Sequence, residues 1–235
     1  MEGFKLYYIA VSVIPIMFSI IFHEVAHGWM ADRLGDPTAR ERGRLTLNPV
    51  PHIDPVGSIL VPIVLMILPG KFLFGWAKPV PFNPNRFYQH INMRKGTMWV
   101  AAAGPLSNLL LATISTVIYV LLFNFFPNKV LLDFFGVAIF INILLGFFNM
   151  IPIPPLDGSK VLMGILPREY DRFFFSIERY GFFILIGLMA TGILNMLLYP
   201  VVWIVEGFLF AFSYIFTGAY DPGLFYTIVR FLMGR

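Results

Sequence analysis

Apolar positions in this chain run in long unbroken blocks instead of recurring every third or fourth residue. Uncharged stretches extend from Leu6 to Phe22, Pro55 to Gly70, Thr97 to Pro127, Phe134 to Leu156, Tyr180 to Val205 and Gly207 to Tyr220. A helix needs about 20 such residues to cross a bilayer, within a range of about 17–25. The first, third, fourth and fifth blocks meet that length. Tyr199-Pro200 offers a turn that divides the region after Tyr180 into a helical hairpin over residues 180–217. The block from Pro55 to Gly70 is short, contains Pro62 and ends on Pro69-Gly70, which favours a re-entrant segment buried against protein. Ala39 to Pro55 holds too many prolines and charges for a continuous helix and reads as extended chain or a small hairpin. The expected fold is an all-α polytopic membrane protein of five to six transmembrane helices, with a re-entrant, partly extended segment after the first. No repeat and no long linker interrupts it, so residues 1–235 are expected to form one membrane-embedded domain.

Composition agrees with a membrane environment. Hydrophobic residues make up 58% of the 235 and charged residues 13%, against roughly 45–50% and about 25% in soluble domains. The first block lacks a basic leader and a clean small-residue cleavage site, so it reads as a retained helix and not a signal peptide. The charge of +4 does not imply nucleic acid, because Lys and Arg fall in short hydrophilic gaps and form no basic stripe. Placed on five spans plus a re-entrant element, nine Lys/Arg between Asp32 and Gly96, four between Asp157 and Tyr180 and two in the tail share one side. Only Lys5 and Lys129 fall on the other. The positive-inside rule then sets the amino terminus outside and the carboxyl terminus inside.

Cysteine is absent, so any metal must be held by His, Asp or Glu. His23-Glu24-Val25-Ala26-His27 puts two imidazoles at i and i+4 on one helical face, where both reach a single zinc ion and the Glu between them can act as general base. In water this pattern is weakly specific. Inside a membrane helix an unpaired carboxylate alone costs about 2.5–3.5 kcal/mol on insertion scales, so the cluster demands a ligand or a cavity. A catalytic zinc takes three protein ligands and keeps one position open. Asp157 is the strongest candidate for the third, since it ends an uncharged span where Pro152, Pro154 and Pro155 break the helix. The alternatives are that Asp157 merely caps the next helix, or that Asp54 or His52 is the third ligand. From Tyr7 to His23 is about 24 Å of helix at about 1.5 Å per residue, which sets both His23 and Asp157 toward the cytoplasmic side.

The chain resembles the site-2 protease family of intramembrane zinc metalloproteases. The resemblance rests on F-H-E-V-A-H-G (Phe22 to Gly28), A-G-P-L-S-N (Ala103 to Asn108) and N-M-I-P-I-P-P-L-D-G (Asn149 to Gly158), in family order, over a core of residues 7–165. It implies that His23, His27 and Asp157 bind one Zn2+ per chain and that Glu24 is the catalytic base. Asn149 corresponds to an Asn that positions substrate or polarises its carbonyl. Gly75 to Pro84 is similar to a segment of compact prokaryotic members, which implies a multi-pass protein of a prokaryotic inner membrane. No PDZ domain, which some relatives use to screen substrates, is expected here.

The implied activity is hydrolysis of peptide bonds in or near the transmembrane segments of membrane proteins, with such a segment and the lipid bilayer as the partners. Asn48 to Pro55 and Pro79 to Pro84 offer extended edges for pairing with an unwound substrate, and the segment from Pro55 to Pro84 is the expected gate. His52, His90 and Asn108 read mainly as structural. The alternative is a zinc transporter or other metal-binding membrane protein, but transport usually spreads ligands along a path or repeats them in two halves.

Overall fold

The computed structural model describes residues 2–61 and 77–193 and the single positions 63, 196, 200, 203, 207 and 214. The described residues form helices and turns and contain no strand. Three long helices, α1 (Glu2–Arg33), α3 (Met93–Phe125) and α4 (Lys129–Asn149), pack on one another. Between the first two lies the short α2 (Thr38–Glu41). After α4 come α5 (Asp157–Ile165), which packs on α3, then α6 (Asp171–Glu178) and α7 (Gly181–Ala190). Val11–Arg33 within α1, and the whole of α3 and α4, are long and apolar enough to cross a membrane.

Side-chain bonds set the directions of these helices. Ser19, His23 and His27 of α1 meet Asn108, Asn108 and Val100 of α3, so the two run antiparallel. Tyr7 and Ser19 meet Asp133 and Asn142 of α4, so α1 and α4 run parallel. The carboxyl ends of α1 and α4 therefore lie at the same end of the bundle, and the loop leaving α4 brings Asp157 back to His23.

The helices are patterned for lipid. On α3 most buried positions are small or polar, among them Ala101, Gly104, Ser107, Asn108, Ala112 and Ser115, with Val100 and Pro105 as exceptions. Leu106, Leu110, Ile114, Val117 and Leu121 form an exposed stripe at intervals of three and four. With hydrocarbon outside, burial of large apolar groups drives little association, and close backbone approach between small residues takes over. Gly146 of α4 illustrates this, since a Cβ there would sit 3.2 Å from Leu109 and 3.3 Å from the Pro105 carbonyl oxygen.

Beyond α1 the chain is held by a buried carboxylate. Asp36 is fully buried and accepts from the Thr38 amide at 3.0 Å, from the Thr38 hydroxyl and from the Asn83 amide. Arg86 makes a two-pronged contact with Glu41 at 2.6 and 2.7 Å, and Tyr88 N–H donates to the Leu34 carbonyl. Gly35 takes φ +107° where the chain turns, and a Cβ there would meet the Tyr88 amide at 2.8 Å. These bonds dock residues 83–88 against the end of α1.

Residues 39–55 differ from the expected extended chain or hairpin. They form α2 and a 3-10 turn at Val50–His52, followed by a π-helical turn at Pro55–Leu60. Pro49 already holds helical angles (φ −66°, ψ −30°), and Asp54 caps the π turn by accepting from Val56 and Gly57 amides at 2.9 and 2.7 Å. A carboxylate that satisfies free amides locally stabilises a turn without a partner strand. Residues 77–83 run without helix, which fits the partly extended segment. Half of the expected re-entrant stretch, residues 62 and 64–70, and most of the expected hairpin beyond α7 lie outside the described residues.

Asp36→Ala strips three donors of a buried acceptor and is expected to cost about 2–4 kcal/mol. The check is the melting temperature in detergent, which should fall clearly while lipid-facing Leu110→Ala stays near the parent.

Candidate metal centre and peptidase cleft

His23 and His27 stand one turn apart on α1, with rings 4.6 Å apart and perpendicular. Each ring is tied at Nδ1. His27 Nδ1 lies 2.7 Å from the Val100 carbonyl oxygen, and His23 Nδ1 lies 2.6 Å from Asn108 Oδ1. A carbonyl only accepts, so His27 carries its proton on Nδ1 and presents a lone pair at Nε2. The two Nε2 atoms are 3.0 Å apart, and Asp157 Oδ2 lies 3.2 Å from one and 3.3 Å from the other. His23, His27 and Asp157 are the one group of potential metal ligands among the described residues.

The donor set fits zinc. For bonds of about 2.0–2.1 Å, the edge of a tetrahedron is about 3.3–3.4 Å, close to the three separations here. Two nitrogens and one oxygen are the three protein donors that a catalytic zinc would take. An aspartate is ordinarily a carboxylate in the neutral range, the form that ligates a metal.

Close packing creates the space. A Cβ on Gly104 of α3 would lie 2.5 Å from His27 ring atoms and 2.6 Å from His23. Any larger residue would push the imidazoles apart. Gly158 plays the same part next to Asp157, where a Cβ would sit 2.2 Å from the Met150 carbonyl oxygen. Asp157 is the first residue of α5 and makes no capping bond, so it does not serve as the helix cap. Asp54 is engaged in its own turn, and buried His52 bonds the Thr46 carbonyl at 2.9 Å. Neither joins the cluster.

Glu24 and Asn149 line the same cleft as the three donors. Glu24 Oε2 accepts from the Val80 amide at 2.8 Å. Asn149 donates one amide hydrogen to the Leu145 carbonyl at 3.0 Å. Pro79, Val80 and Phe82 form part of the wall. The Arg44 guanidinium grips the Lys78 carbonyl, and the Lys78 amide donates to the His52 carbonyl at 2.9 Å.

Three features of the site were not evident from the sequence. Lys160 brings a cation to the cleft, and its place three residues after Asp157 on α5 is the signal that could have found it. Gly104 lies in the A-G-P-L-S-N motif but its contact with the imidazoles needs the packing of α3 on α1. Asn108 bonds a neighbouring helix, as a structural residue would, yet the group it bonds is His23. His90 stacks on Tyr88 away from the cluster.

Comparison with known proteins gives the same direction. Residues 124–191 match Peptidase family M50. The chain is 37% identical over 194 residues to "Putative zinc metalloprotease YwhC" of Bacillus subtilis, covering 80% of this chain and 84% of that protein. Rip2 of Mycolicibacterium smegmatis, described in the same words, is 29% identical over 83% of this chain and 74% of its own length. MJ0611 of Methanocaldococcus jannaschii, again so described, is 31% identical over 68% and 73%. No solved structure matches. A chain of apolar helices with a His, His, Asp donor set, matched along most of its length by such relatives, belongs to the M50 peptidases, the site-2 protease family of zinc metalloproteases.

Proposed function

We propose that this zinc metalloprotease cuts transmembrane protein substrates within or beside the bilayer, using one zinc ion held by His23, His27 and Asp157. The observation that carries this reading is the position of the donor cluster. Two of its donors, His23 and His27, lie within the membrane-length apolar segment Val11–Arg33, the third follows the end of apolar α4, and the cleft also holds Glu24 and Asn149. A soluble peptide would not require a site at that depth.

When bound, zinc supplies Lewis acidity, polarising a peptide carbonyl and acidifying water. Glu24 is the proton acceptor. Its Oε2 is held by the Val80 amide, and its other oxygen has no hydrogen-bond partner among the described residues and is available to water. Asn149 keeps one amide hydrogen in addition to the one given to Leu145, and Lys160 offers an ammonium. These are the cleft's side-chain donors for a carbonyl oxygen that gains charge. Residues 77–83 offer their backbone edge to an unwound substrate.

The same reading places five spans and a re-entrant segment in a prokaryotic inner membrane, with the cleft opening to the cytoplasm. Zinc transport is less well supported, because among the described residues the ligands form one cluster and no path. The relatives are described as metalloproteases.

Three outcomes are expected. Glu24→Gln should keep zinc, by metal analysis, and lose about 10²–10⁴-fold in cleavage of a reconstituted transmembrane substrate. A transporter would lose no cleavage, having none. Asp157→Ala should weaken zinc by more than the roughly 10–100-fold that loss of a ligand's hydrogen-bond partner costs; undiminished zinc would move the third ligand elsewhere. Because the chain has no cysteine, single Cys residues at positions 42, 86, 130 and 170 should label from the inside, inside, outside and inside. Outside labelling at 86 would show that the segment after residue 55 crosses.

A further inference from the structure

One hydrogen-bonded chain leaves the metal cluster and runs into the helix interface, and its polarity has a single solution. It passes from His23 through Asn108 of α3 to Asn142 of α4 and Ser19 of α1, all buried. We propose that Asn142 is a positioning residue that, through Asn108, locks His23 in the tautomer able to bind metal. This rests on the reading of His23 as a ligand.

The argument starts from groups that can only accept. The amide atom of Asn142 that lies 2.8 Å from the Ala138 carbonyl oxygen must be its nitrogen, since the other orientation would press two oxygens together. The second hydrogen of that nitrogen goes to Ser19 Oγ at 2.8 Å. Ser19 can only accept there, because its own proton is given to the Pro15 carbonyl at 2.6 Å. Asn142 Oδ1 is then the atom facing Asn108 at 2.8 Å, so Asn108 must present Nδ2. An independent contact agrees: the same Nδ2 lies 3.3 Å from the Ser19 carbonyl, another pure acceptor. Asn108 Oδ1 is left facing His23 Nδ1 at 2.6 Å. That nitrogen carries the proton, and Nε2 keeps the lone pair that points toward His27 and Asp157.

A flipped Asn108 would reverse this. Its NH₂ would face Nδ1, the proton would move to Nε2, and the lone pair would point away from the cluster. Asn108, at 0% exposure, and Asn142, at 2%, are closed to bulk solvent, so an orientation that leaves an amide group unpaired is costly. Thus α4, which supplies none of the three donor groups, sets the orientation of one. An asparagine that only glues helices together would stabilise the bundle without acting on the imidazole.

The test uses the full chain in lipid or detergent, with zinc affinity measured by competition with a chelator. Asn142→Leu and Asn108→Leu should each weaken zinc by about 10–100-fold, and the double variant should be no weaker than the worse single, because the two act in series. Effects that multiply, or undiminished zinc in Asn142→Leu, would overturn the proposal. Should the leucine variants not fold, nitrogen-15 histidine spectra of the metal-free parent decide it. His23 protonated at Nδ1 supports the inference, and His23 protonated at Nε2 overturns it. His23→Ala separates the two readings. Full zinc there removes His23 as a ligand, whereas lost zinc in His23→Ala with intact zinc in Asn142→Leu removes only the role of Asn142.

Discussion

Two imidazole nitrogens and a carboxylate oxygen stand 3.0–3.3 Å from one another, the imidazoles packed between the apolar helices α1 and α3. At least one of those nitrogens presents a lone pair, and the oxygen carries charge. In a low-dielectric setting such a group is strongly repulsive unless a cation lies among its members, and the surrounding structure is explained by the need to hold them there. Gly104 and Gly158 remove the Cβ atoms that would occupy the space. The Val100 carbonyl and Asn108 hold the distal ring nitrogens, so the other nitrogens converge. The helix spacing and the ligand geometry are thus one constraint seen from two sides.

The lipid-facing pattern serves the same end. In water a bundle gathers its large apolar residues inside, and polar side chains between helices are a cost. Here large residues cover the exposed face of α3 and its interior is lined mainly by Ala, Gly, Ser, Thr and Asn, while α4 buries Val137, Ile139, Phe140 and Ile141 beside Asn142 and Gly146. That arrangement brings the backbones close enough for a side chain on one helix to bond two others, as Asn108 does. A Leu-filled interface would hold the helices apart and leave the imidazoles unguided.

How much of this was legible in the sequence follows from the range of each signal. His23 and His27 were legible because helical spacing alone puts them on one face. Asp157 was legible as the leading candidate because a charge at the end of an uncharged span, beside prolines, has few bland explanations. The partners that orient the imidazoles were not: an Asn inside a membrane helix looks the same whether it bonds a carbonyl or a ligand, and only the packing of α1 on α3 and α4 tells which. The loop over residues 39–55 was misjudged because proline restricts φ to a value shared by extended chain and tight helical turns. Local capping by Asp36 and Asp54 decided between them, and no periodicity records that.

The contact between Glu24 and Val80 joins the loop to the chemistry. The segment carrying Val80 is anchored on both sides of it, by Arg44 and His52 at Lys78 and by Asp36 at Asn83. It cannot drift without loosening a buried bond. A backbone amide donating to a carboxylate fixes the direction of that carboxylate and also fixes the carboxylate's distance from the chain edge beside it. Under the proposed function, a peptide that pairs along this edge would be placed relative to Glu24 by the same hydrogen bond. On that reading, orientation of base and substrate by one strap would lower the entropic cost of bringing them together, and it would account for a buried acid such as Asp36 in this loop.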